Sequence, residues 1–179
     1  ARYKERLQSI ASRPKISVVL PVFDPPVTFL EEAVKSVLSQ VYENWELCIA
    51  DDGSSQREVL SYLKSLPKRD TRIKVTSRAE NGGIAIASND AMASASGEFL
   101  AFLDHDDLLA PEALAEVALY LPAHPETDFL YSDDDKIDRQ GNRRTPQFKP
   151  DWSPELLLNY CYVGHLKVVR ASLSQEIGH

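Results

Sequence analysis

The sequence predicts an α/β fold with a mostly parallel central sheet flanked by helices, and three observations lead to this prediction. Short apolar runs rich in β-branched residues alternate along the chain with segments whose apolar residues recur at helical spacing. The apolar runs are continuous, as expected of strands that are covered on both faces. The 179 residues have 43% hydrophobic content, which is enough for the core of one domain. Strands that alternate with helices form right-handed βαβ units and therefore a largely parallel sheet.

Five strands and four helices are expected before residue 139. The strands are the apolar runs at residues 15–23, 45–50, 72–78 and 98–104 and the beginning of the segment 128–138. The helices follow the first four strands, at residues 25–41, 55–66, 84–96 and 111–121. The third helix consists largely of small residues, which allow a helix to pack closely against a sheet. From Arg139 onward the chain is rich in proline and polar residues, and we expect a connection that leaves this part of the fold.

Two of these helices begin with the pattern of a capping box, in which a hydroxyl residue is followed three positions later by a glutamate. Thr28 with Glu31 has this pattern in the first helix, and Ser55 with Glu58 has it in the second. We therefore predict that both pairs cap the amino termini of their helices and have a structural role.

Composition and charge exclude several classes of function. The net charge of -7 argues against a nucleic-acid partner, because such a partner requires a basic surface. Cys48 and Cys161 have neither metal-ligand spacing nor a disulfide pattern. Cys48 lies in an apolar strand, so we expect a buried free thiol there. We find no signal-peptide pattern and no apolar run of transmembrane length, and therefore expect a protein of the reducing cytoplasm.

The ends of four predicted strands carry acidic residues or turn glycines. The first strand leads into PVFDPP, the second into DDGS, the third towards NGG and the fourth into DHDD. Ligands of open α/β sheets bind outside the carboxyl ends of the strands, at one edge of the sheet. The four loops are therefore expected to form a single site, and their convergence is stronger support for a site than any one motif.

Two other kinds of phosphate-handling site do not fit this pattern. A dinucleotide-binding fingerprint would place glycines after the first strand, where the turn instead contains Pro21, Pro25 and Pro26. No P-loop motif is present either. A phosphatase that forms an aspartyl-phosphate usually carries paired aspartates after its first strand, whereas the pair here follows the fourth strand. That class is therefore disfavoured.

Asp104 and Asp106 are the candidate metal ligands. In extended backbone, residues two apart point the same way, so both carboxylates can face one cation. Hard oxygen ligands suit Mg²⁺ or Mn²⁺ shared with substrate phosphates, and such an ion would assist the departure of a diphosphate. The alternative is a solvated acidic turn, which is disfavoured directly after an apolar strand. His105 is expected on the opposite side, and Asp107 is expected to support the ligands or to favour the next helix.

Polar residues after the second and third strands are candidates for nucleoside binding. The carboxylates of Asp51 and Asp52 can accept hydrogen bonds from a base N–H or from ribose hydroxyls, and Asp52 is the stronger candidate. Asp-Gly-Ser is also a common loop opening, so turn chemistry is the alternative for both acids. Asn81 and Gly83 could let the backbone approach a ligand closely, although loop geometry alone also accounts for them.

The segments SVVLPVFD, ADDGSS, NGGIAIASNDAMASASGEFLAFLDHDD and YSDDDKID together resemble the inverting glycosyltransferases of family 2. The resemblance covers about residues 15 to 175, and the first four strands match in both order and spacing. The segments YSDDDKID, FKPDWSPELLL and GHLKVVR are further similar to the branch that builds bacterial surface polysaccharides. The resemblance implies the Rossmann-like GT-A fold and the transfer of a sugar, with inversion, from a nucleotide-diphospho-sugar to a glycan acceptor.

The resemblance also implies roles for individual residues on the donor side. The residues implied to bind the nucleotide are Pro21, Val22, Phe23, Asp51, Asp52, Asn81, Gly83 and Asp104. Asp104 and Asp106 match the Asp-X-Asp pair that binds the diphosphate and a metal ion, Mn²⁺ or Mg²⁺. The donor is expected to be of the UDP or dTDP type.

Four further residues are implied on the sugar side of the donor. Asp133, Asp134 and Asp135 lie at the end of the fifth strand and could flank the sugar. A plain acidic turn explains these three acids equally well. Trp152 could stack on a sugar, and a tryptophan of the core is the alternative.

The base that inverting transfer requires has no match in this chain. Such a base deprotonates the acceptor hydroxyl as it attacks the anomeric carbon. In the family it follows a Gly-Gly-Phe type of stretch, which would begin where this chain ends in SQEIGH. We therefore expect the base beyond residue 179, and little or no sugar transfer by this chain alone.

The sequence suggests three regions, which are an N-terminal extension at residues 1–14, a donor-binding region at 15–138 and the start of a truncated acceptor-side region at 139–179. By resemblance, the acceptor is a glycan or a lipid-linked glycan, and the cytoplasmic protein could associate with the inner face of the membrane. No nucleic-acid partner is expected. The alternative function is a non-catalytic module of a larger protein that binds a nucleotide-sugar or acts as a scaffold.

Overall fold

The computed structural model of the chain describes residues 2–10, 12–138 and 140–178, which form alternating strands and helices. The strands are β1 (Ile16–Val22), β2 (Trp45–Asp51), β3 (Ile73–Ser77), β4 (Phe99–Phe102), β5 (Phe129–Tyr131), β6 (Asp134–Ile137), β7 (Arg143–Gln147) and β8 (Lys167–Arg170). The helices are α1 (Arg2–Ser9), α2 (Val27–Leu38), α3 (Arg57–Arg69), α4 (Ile84–Ala93), α5 (Ala113–Tyr120), α6 (Pro154–Asn159) and α7 (Ala171–Ile177), and a short 3₁₀ helix follows α5 at Leu121–Ala123. The five predicted strands and the four predicted helices are all present. Among the described helices, none is both long and apolar enough to cross a membrane.

Six of the strands form one sheet in the order β3-β2-β1-β4-β8-β5, and β6 and β7 form a separate hairpin. The strands β1 to β4 are paired in parallel. Strand β8 is antiparallel to both of its neighbours, β4 and β5, so β5 runs in the same direction as the first four strands. The predicted α/β class and the mostly parallel sheet are therefore confirmed, and five carboxyl ends point to one edge.

Strand β8 comes from the part of the chain that we expected to leave this part of the fold. That expectation is wrong for β8, because this strand lies between β4 and β5 and joins them. The donor-binding and acceptor-side regions expected from the sequence thus share one sheet. The limits proposed for the three regions include residues 1, 11, 139 and 179, which lie outside the described residues.

The continuous apolar runs of β1 and β2 are explained by complete burial, because every residue of these two strands is buried. On one side of the sheet, Val18 belongs to a large apolar cluster that includes residues of α2, α3 and α5. On the other side, Val19 and Cys48 pack with Ala87 and Ala91 of α4, whose small side chains let the helix lie close to the sheet. Cys48 is a buried free thiol, as predicted.

Neither predicted capping box is present. Helix α2 begins one residue before Thr28 and has no side-chain cap, so the predicted cap by Thr28 with Glu31 is wrong. Helix α3 begins two residues after Ser55, and the residue at its N-cap position makes no capping hydrogen bond, so the predicted cap by Ser55 with Glu58 is also wrong. In both cases the helix begins at a different residue from the one that the local pattern indicates.

The amino terminus of α3 is instead bound by a neighbouring loop. Asp24, which follows β1, accepts hydrogen bonds from the backbone N–H groups of Ser55 and Gln56 at 2.9 and 2.8 Å. The hydroxyl of Ser55 donates to the other carboxylate oxygen of Asp24 at 2.7 Å. These hydrogen bonds, above all that from Gln56, lower the pKa of Asp24. They also join the loop after β1 to the loop after β2.

A buried glutamate organises the opposite, amino-terminal edge of the sheet. Glu46 is 2% exposed, and it accepts hydrogen bonds from the Ser17 hydroxyl at 2.6 Å and from the Lys15 ammonium at 2.7 Å. The Lys74 ammonium lies 2.9 Å from this carboxylate, to which the backbone N–H of Ser96 also donates. Burial by itself raises the pKa of a carboxyl group, but these partners outweigh burial and hold the pKa of Glu46 well below its ordinary value.

We expect Glu46→Ala to lower the free energy of unfolding by about 3 kcal/mol, because it leaves the buried donors of Ser17 and Ser96 without their acceptor. Glu43→Ala removes an exposed glutamate nearby and is the matched control. It should change the free energy of unfolding by less than about 0.5 kcal/mol. Urea denaturation of both variants near neutral pH measures the difference, and equal losses would contradict the role of Glu46.

Glu46 should also make the stability depend on pH. Because its pKa is lower in the folded protein than in the unfolded chain, its stabilisation is complete above the ordinary pKa of 4.5 and is lost as the pH falls through the folded-state value. We expect the free energy of unfolding of the wild type to fall more steeply in acid than that of Glu46→Gln. Parallel curves in urea titrations from neutral to acidic pH would show that another group is responsible.

Candidate functional site

An open pocket of about 370 Å³ lies at the carboxyl edge of the sheet. Its wall is formed by the end of β1, by residues that follow β1, β2, β3 and β4, and by the start of α4, so the four loops converge as the sequence predicts. The residues that line it are Pro21, Val22, Phe23, Asp52, Asn81, Gly83, Ile84, Ala87, Asp104, His105 and Asp106. Seven of the eight residues predicted to bind a nucleotide are therefore in this wall, and Asp51 is the exception.

Asp51 is not among the residues that line the pocket. It is 1% exposed, and one of its carboxylate oxygens accepts a hydrogen bond from the backbone N–H of Ser54 at 3.1 Å. This arrangement is the turn chemistry that we considered as the alternative for Asp51. Ile84 and Ala87 line the pocket although the sequence analysis did not select them. The small residues of α4 indicated close packing on the sheet, but they did not indicate which residues face a cavity.

Asp52 binds the loop that follows β3. It is 2% exposed, and its carboxylate accepts hydrogen bonds from the backbone N–H groups of Gly82 and Gly83 at 2.9 and 2.8 Å. Gly83 has a φ of +89° and is the N-cap residue of α4, so this carboxylate lies where the helix begins. A carboxylate offers about four lone-pair sites. Asp52 can therefore hold the loop and accept a further hydrogen bond from a ligand.

An arginine links Asp52 to helix α4. The Nε atom of Arg78 lies 3.0 Å from Oδ1 of Asp52, and the same guanidinium pairs with Asp90 of α4. The hydrogen bond with Asp90 raises the pKa of Arg78. The guanidinium offsets the charge of the buried Asp52 and connects the second half of α4 to the loop before the helix. Arg78 has no local signal in the sequence, because its two partners come from different segments.

The loops after β2 and β3 are in close contact at Gly53. This residue has a φ of +79°, and a Cβ atom there would lie 3.0 Å from backbone atoms of both Glu80 and Asn81. Only glycine combines this backbone conformation with such a close approach. Gly53 therefore sets the distance between the loop that carries Asp52 and the loop that carries Asn81.

Residues 104–107 form a turn, and the extended backbone assumed in the metal prediction is wrong. The backbone N–H of Asp107 donates to the carbonyl of Asp104 at 3.2 Å. Such a turn brings its first and fourth residues together, so the alternation of sides that holds in a strand does not apply. Asp106 lines the pocket, and so does His105, which we expected to face the opposite side.

Asp104 and Asp107 lie close to His165, which the sequence analysis did not select. The Nε2 atom of His165 lies 3.4 Å from Oδ2 of Asp104 and 3.3 Å from Oδ2 of Asp107. One possible ligand atom from each of the three residues lies within 4.8 Å of the other two. His165 stands just before β8, so only the return of the chain to the sheet brings it to this edge.

The negative charge of this cluster is only partly balanced. Burial raises the pKa of Asp107, His165 lowers it, and the carboxylates of Asp106, Asp104 and Asp134 raise it further. A divalent cation would relieve this repulsion. Carboxylate oxygens and an imidazole nitrogen are ligands that such a cation accepts. The residues present therefore fit a metal ion at Asp104, and the group around Asp104 contains Asp107 and His165 but does not contain Asp106.

The three acids predicted on the sugar side all have partners within the chain. The backbone N–H of Lys149 donates to Asp133 at 2.8 Å, and the Lys149 ammonium lies 2.9 Å from Asp134. Arg143 pairs with Asp135 across the β6–β7 hairpin. Each acid thus has a partner within the chain, but Asp134 and Asp135 belong to strand β6, so the alternative of a plain acidic turn does not describe them.

Trp152 is not a tryptophan of the core, because it is 56% exposed. Its ring packs edge-on against Phe129 of β5, with ring centres 6.0 Å apart. It does not line the pocket described above. Its proposed contact with a sugar would therefore have to occur outside that pocket.

The chain matches the family model described as Glycosyl transferase family 2 over residues 17–178. It is 43% identical over 175 residues to the O-antigen biosynthesis protein RfbC of Myxococcus xanthus, a match that covers 98% of this chain and 14% of that protein. It is 34% identical over 157 residues to the UDP-Glc:alpha-D-GlcNAc-diphosphoundecaprenol beta-1,3-glucosyltransferase WfgD of Escherichia coli, covering 86% of this chain and 59% of that protein. The chain thus spans less than two thirds of the length of either relative.

Solved structures show the same fold. The structure of S. aureus TarS in complex with UDP-GlcNAc has a TM-score of 0.70 and 26% sequence identity, and the match covers 91% of this chain and 47% of that chain. The mannosyltransferase PcManGT from Pyrobaculum calidifontis, in complex with GDP-Man and Mn2+, has a TM-score of 0.69 and 20% identity, covering 99% and 52%. These neighbours confirm the GT-A fold predicted from the sequence.

We expect Gly53→Ala to destabilise the protein more than Gly141→Ala. The two glycines have similar φ values of +79° and +81°, but a Cβ atom at Gly141 would meet no heavy atom of the described residues within 4 Å. The left-handed backbone alone costs alanine about 1–2 kcal/mol. The contact with the neighbouring loop should add about 2 kcal/mol at Gly53.

Urea denaturation of the two variants measures this difference in the free energy of unfolding. Gly141→Ala is the control for backbone strain, so the excess loss in Gly53→Ala reports the contact between the loops. Equal losses in the two variants would show that the loops do not need this close approach.

Proposed function

Because the chain belongs to glycosyl transferase family 2, we propose that it is the donor-binding part of an enzyme that transfers a sugar from a nucleotide-diphospho-sugar to a glycan in surface-polysaccharide synthesis. The observation that carries the proposal is the pocket, where the loop held by Asp52 and the turn that begins at Asp104 face one space. The name of the relative RfbC, an O-antigen biosynthesis protein, supports this process.

The nucleoside of the donor is proposed to lie against the loops after β1 and β2. Phe23 and Ile84 line the pocket and are 48% and 67% exposed, so they offer apolar surface to a base or a ribose. Asp52 has lone pairs left to accept a hydrogen bond from a base N–H or a ribose hydroxyl. We propose a UDP or dTDP donor, and the complex of TarS with UDP-GlcNAc supports the first of these.

The proposed metal ion is Mn²⁺ or Mg²⁺, bound between the turn at 104–107 and His165. The proposed ligands are Asp104, His165 and a second acid of the turn, and the grouping of side chains favours Asp107 over Asp106. A bound cation would offset the charge that develops on a departing diphosphate. The mixed set of oxygen and nitrogen donors favours Mn²⁺, because Mg²⁺ prefers oxygen ligands. The complex of PcManGT with Mn2+ supports this choice.

The acceptor is proposed to be a glycan or a lipid-linked glycan. The name of the relative WfgD describes a sugar linked to diphosphoundecaprenol, which supports the lipid-linked form. The protein would then act in the cytoplasm at the inner face of the membrane. Three further points also stay proposals, and the resemblance to the family supports them. They are inversion at the anomeric carbon, a base beyond residue 179, and the division into regions at 1–14, 15–138 and 139–179.

A thermal-shift panel tests the donor site. UDP, dTDP and GDP are each added with and without Mn²⁺, and we expect UDP or dTDP with Mn²⁺ to raise Tm the most. A ligand at about a hundredfold excess over its Kd adds roughly 2.7 kcal/mol to the free energy of unfolding. If no nucleotide changes Tm in either condition, the proposed donor site is wrong. Transfer of a radiolabelled sugar by the full-length protein separates an enzyme from a module that only binds.

Single substitutions in the same assay identify the metal ligands. We expect Asp104→Asn and His165→Ala each to remove the Mn²⁺-dependent part of the shift, because each takes away a donor. Asp107→Asn should weaken Mn²⁺ binding more than Asp106→Asn does. If Asp106→Asn weakens Mn²⁺ binding more than Asp107→Asn does, the two acidic ligands are Asp104 and Asp106, as predicted from the sequence. Asp151→Asn changes an exposed acid that does not line the pocket and is the control.

A further inference from the structure

We propose that Lys149 is a positioning residue that holds His165 against the carboxylates of Asp104 and Asp107. The inference rests on the proposed metal site and adds to it a residue that has no direct contact with the cation or the donor. The Lys149 side chain is only 5% exposed, which is unusual for a lysine. A buried ammonium requires partners for its charge and its hydrogen atoms, so the partners of Lys149 indicate its role.

The Lys149 ammonium has three oxygen partners, two of them through hydrogen bonds and one through an ion pair. The ammonium donates to the backbone carbonyls of Val163 and His165, each at 2.6 Å, and it lies 2.9 Å from Oδ2 of Asp134. An ammonium has three N–H donors and no acceptor, so its three oxygen partners match its N–H groups in number. Lys149 therefore joins two carbonyls of the segment that carries His165 to an acid at the start of β6.

The ring of His165 depends on this backbone for its orientation. A histidine that binds a metal is usually oriented by a hydrogen bond at its other ring nitrogen. Here the Nδ1 atom of His165 is buried and has no hydrogen-bond partner among the described residues. The direction of Nε2 towards Asp104 and Asp107 is therefore set by the backbone at residue 165, and Lys149 binds the carbonyl of that residue.

The turn before His165 lies directly on Lys149. Gly164 has a φ of +48°, and a Cβ atom there would lie 3.3 Å from Oδ2 of Asp134 and 3.5 Å from Nζ of Lys149. Lys149 is itself fixed from its other side, because its backbone N–H donates to Asp133 at 2.8 Å. Asp133 and Asp134, two of the acids predicted on the sugar side, thus act on the metal cluster through Lys149.

The test compares Mn²⁺ affinity in Lys149→Met and Lys136→Met. Methionine keeps an unbranched apolar side chain but removes the ammonium, so the imidazole of His165 is still present but its backbone loses this constraint. We expect Mn²⁺ to bind about tenfold more weakly to Lys149→Met, the effect typical of residues that orient a metal ligand. Lys136 is an exposed lysine of strand β6, so Lys136→Met is the matched control and should show wild-type affinity. Electron paramagnetic resonance of free Mn²⁺, well below Tm, measures both.

A double-mutant cycle separates positioning from a general loosening of the fold. If Lys149 acts through His165, the loss in the double variant Lys149→Met with His165→Ala equals the loss in His165→Ala alone. Additive losses overturn the inference, and so does an unchanged Mn²⁺ affinity in Lys149→Met. If Lys149→Met does not fold, Asp134→Asn is the milder variant, and the NMR signals of its His165 ring should shift in the metal-free protein.

A measurement without metal distinguishes this inference from the proposed function. The proton–carbon NMR signals of the His165 ring should shift in metal-free Lys149→Met and should stay unchanged in Lys136→Met. Unchanged ring signals in Lys149→Met overturn the inference. If these signals shift but the wild type binds no Mn²⁺, the positioning of His165 stands and the proposed metal site is wrong.

Discussion

The carboxylate of Asp52 is the interaction on which the pocket depends. Parallel strands end at one edge of the sheet, so the loops that follow them must share the same space, and their backbone N–H groups need acceptors. Asp52 accepts from Gly82 and Gly83 at the start of α4. Asp24 does the same for the start of α3. The carboxylates of Asp52 and Asp24 thus join the loops that form the pocket. The apolar residues that line the pocket stay available to a ligand.

Strands β1 to β5 and helices α2 to α5 could be predicted because each is determined by its own stretch of sequence. Continuous apolar runs predict strands that are buried on both faces, and the parallel arrangement then places the strand ends in one site. Predictions that relied on a few neighbouring residues failed. Thr28 and Ser55 have the right spacing for caps, but α2 begins before Thr28 and α3 receives its acceptor from Asp24. At Asp104, a backbone turn replaces the extended conformation on which the pairing with Asp106 depended.

The residues that the sequence analysis missed share one property, which is that their positions depend on contacts distant in sequence. Strand β8 has only four residues, and pairing with β4 and β5 on its two sides stabilises it more than its own pattern does. His165 reaches the acidic turn because β8 follows it directly. Lys149 lies in a polar segment rich in proline, where nothing local indicates that its side chain is buried. A pattern that is read along the chain cannot reveal such neighbours.

The place of β8 in the sheet also has a consequence for biosynthesis. The ribosome releases β5 before β8, yet among the described strands β5 is joined to the sheet only through β8. The nascent chain must therefore keep β5 and the open edge of β4 unpaired until Lys167–Arg170 has emerged. Unpaired strand edges of this kind promote aggregation, and pairing between distant segments is slow to form. A nascent chain stalled within the β6–β7 hairpin would be a natural target for chaperones, because it exposes both edges at once.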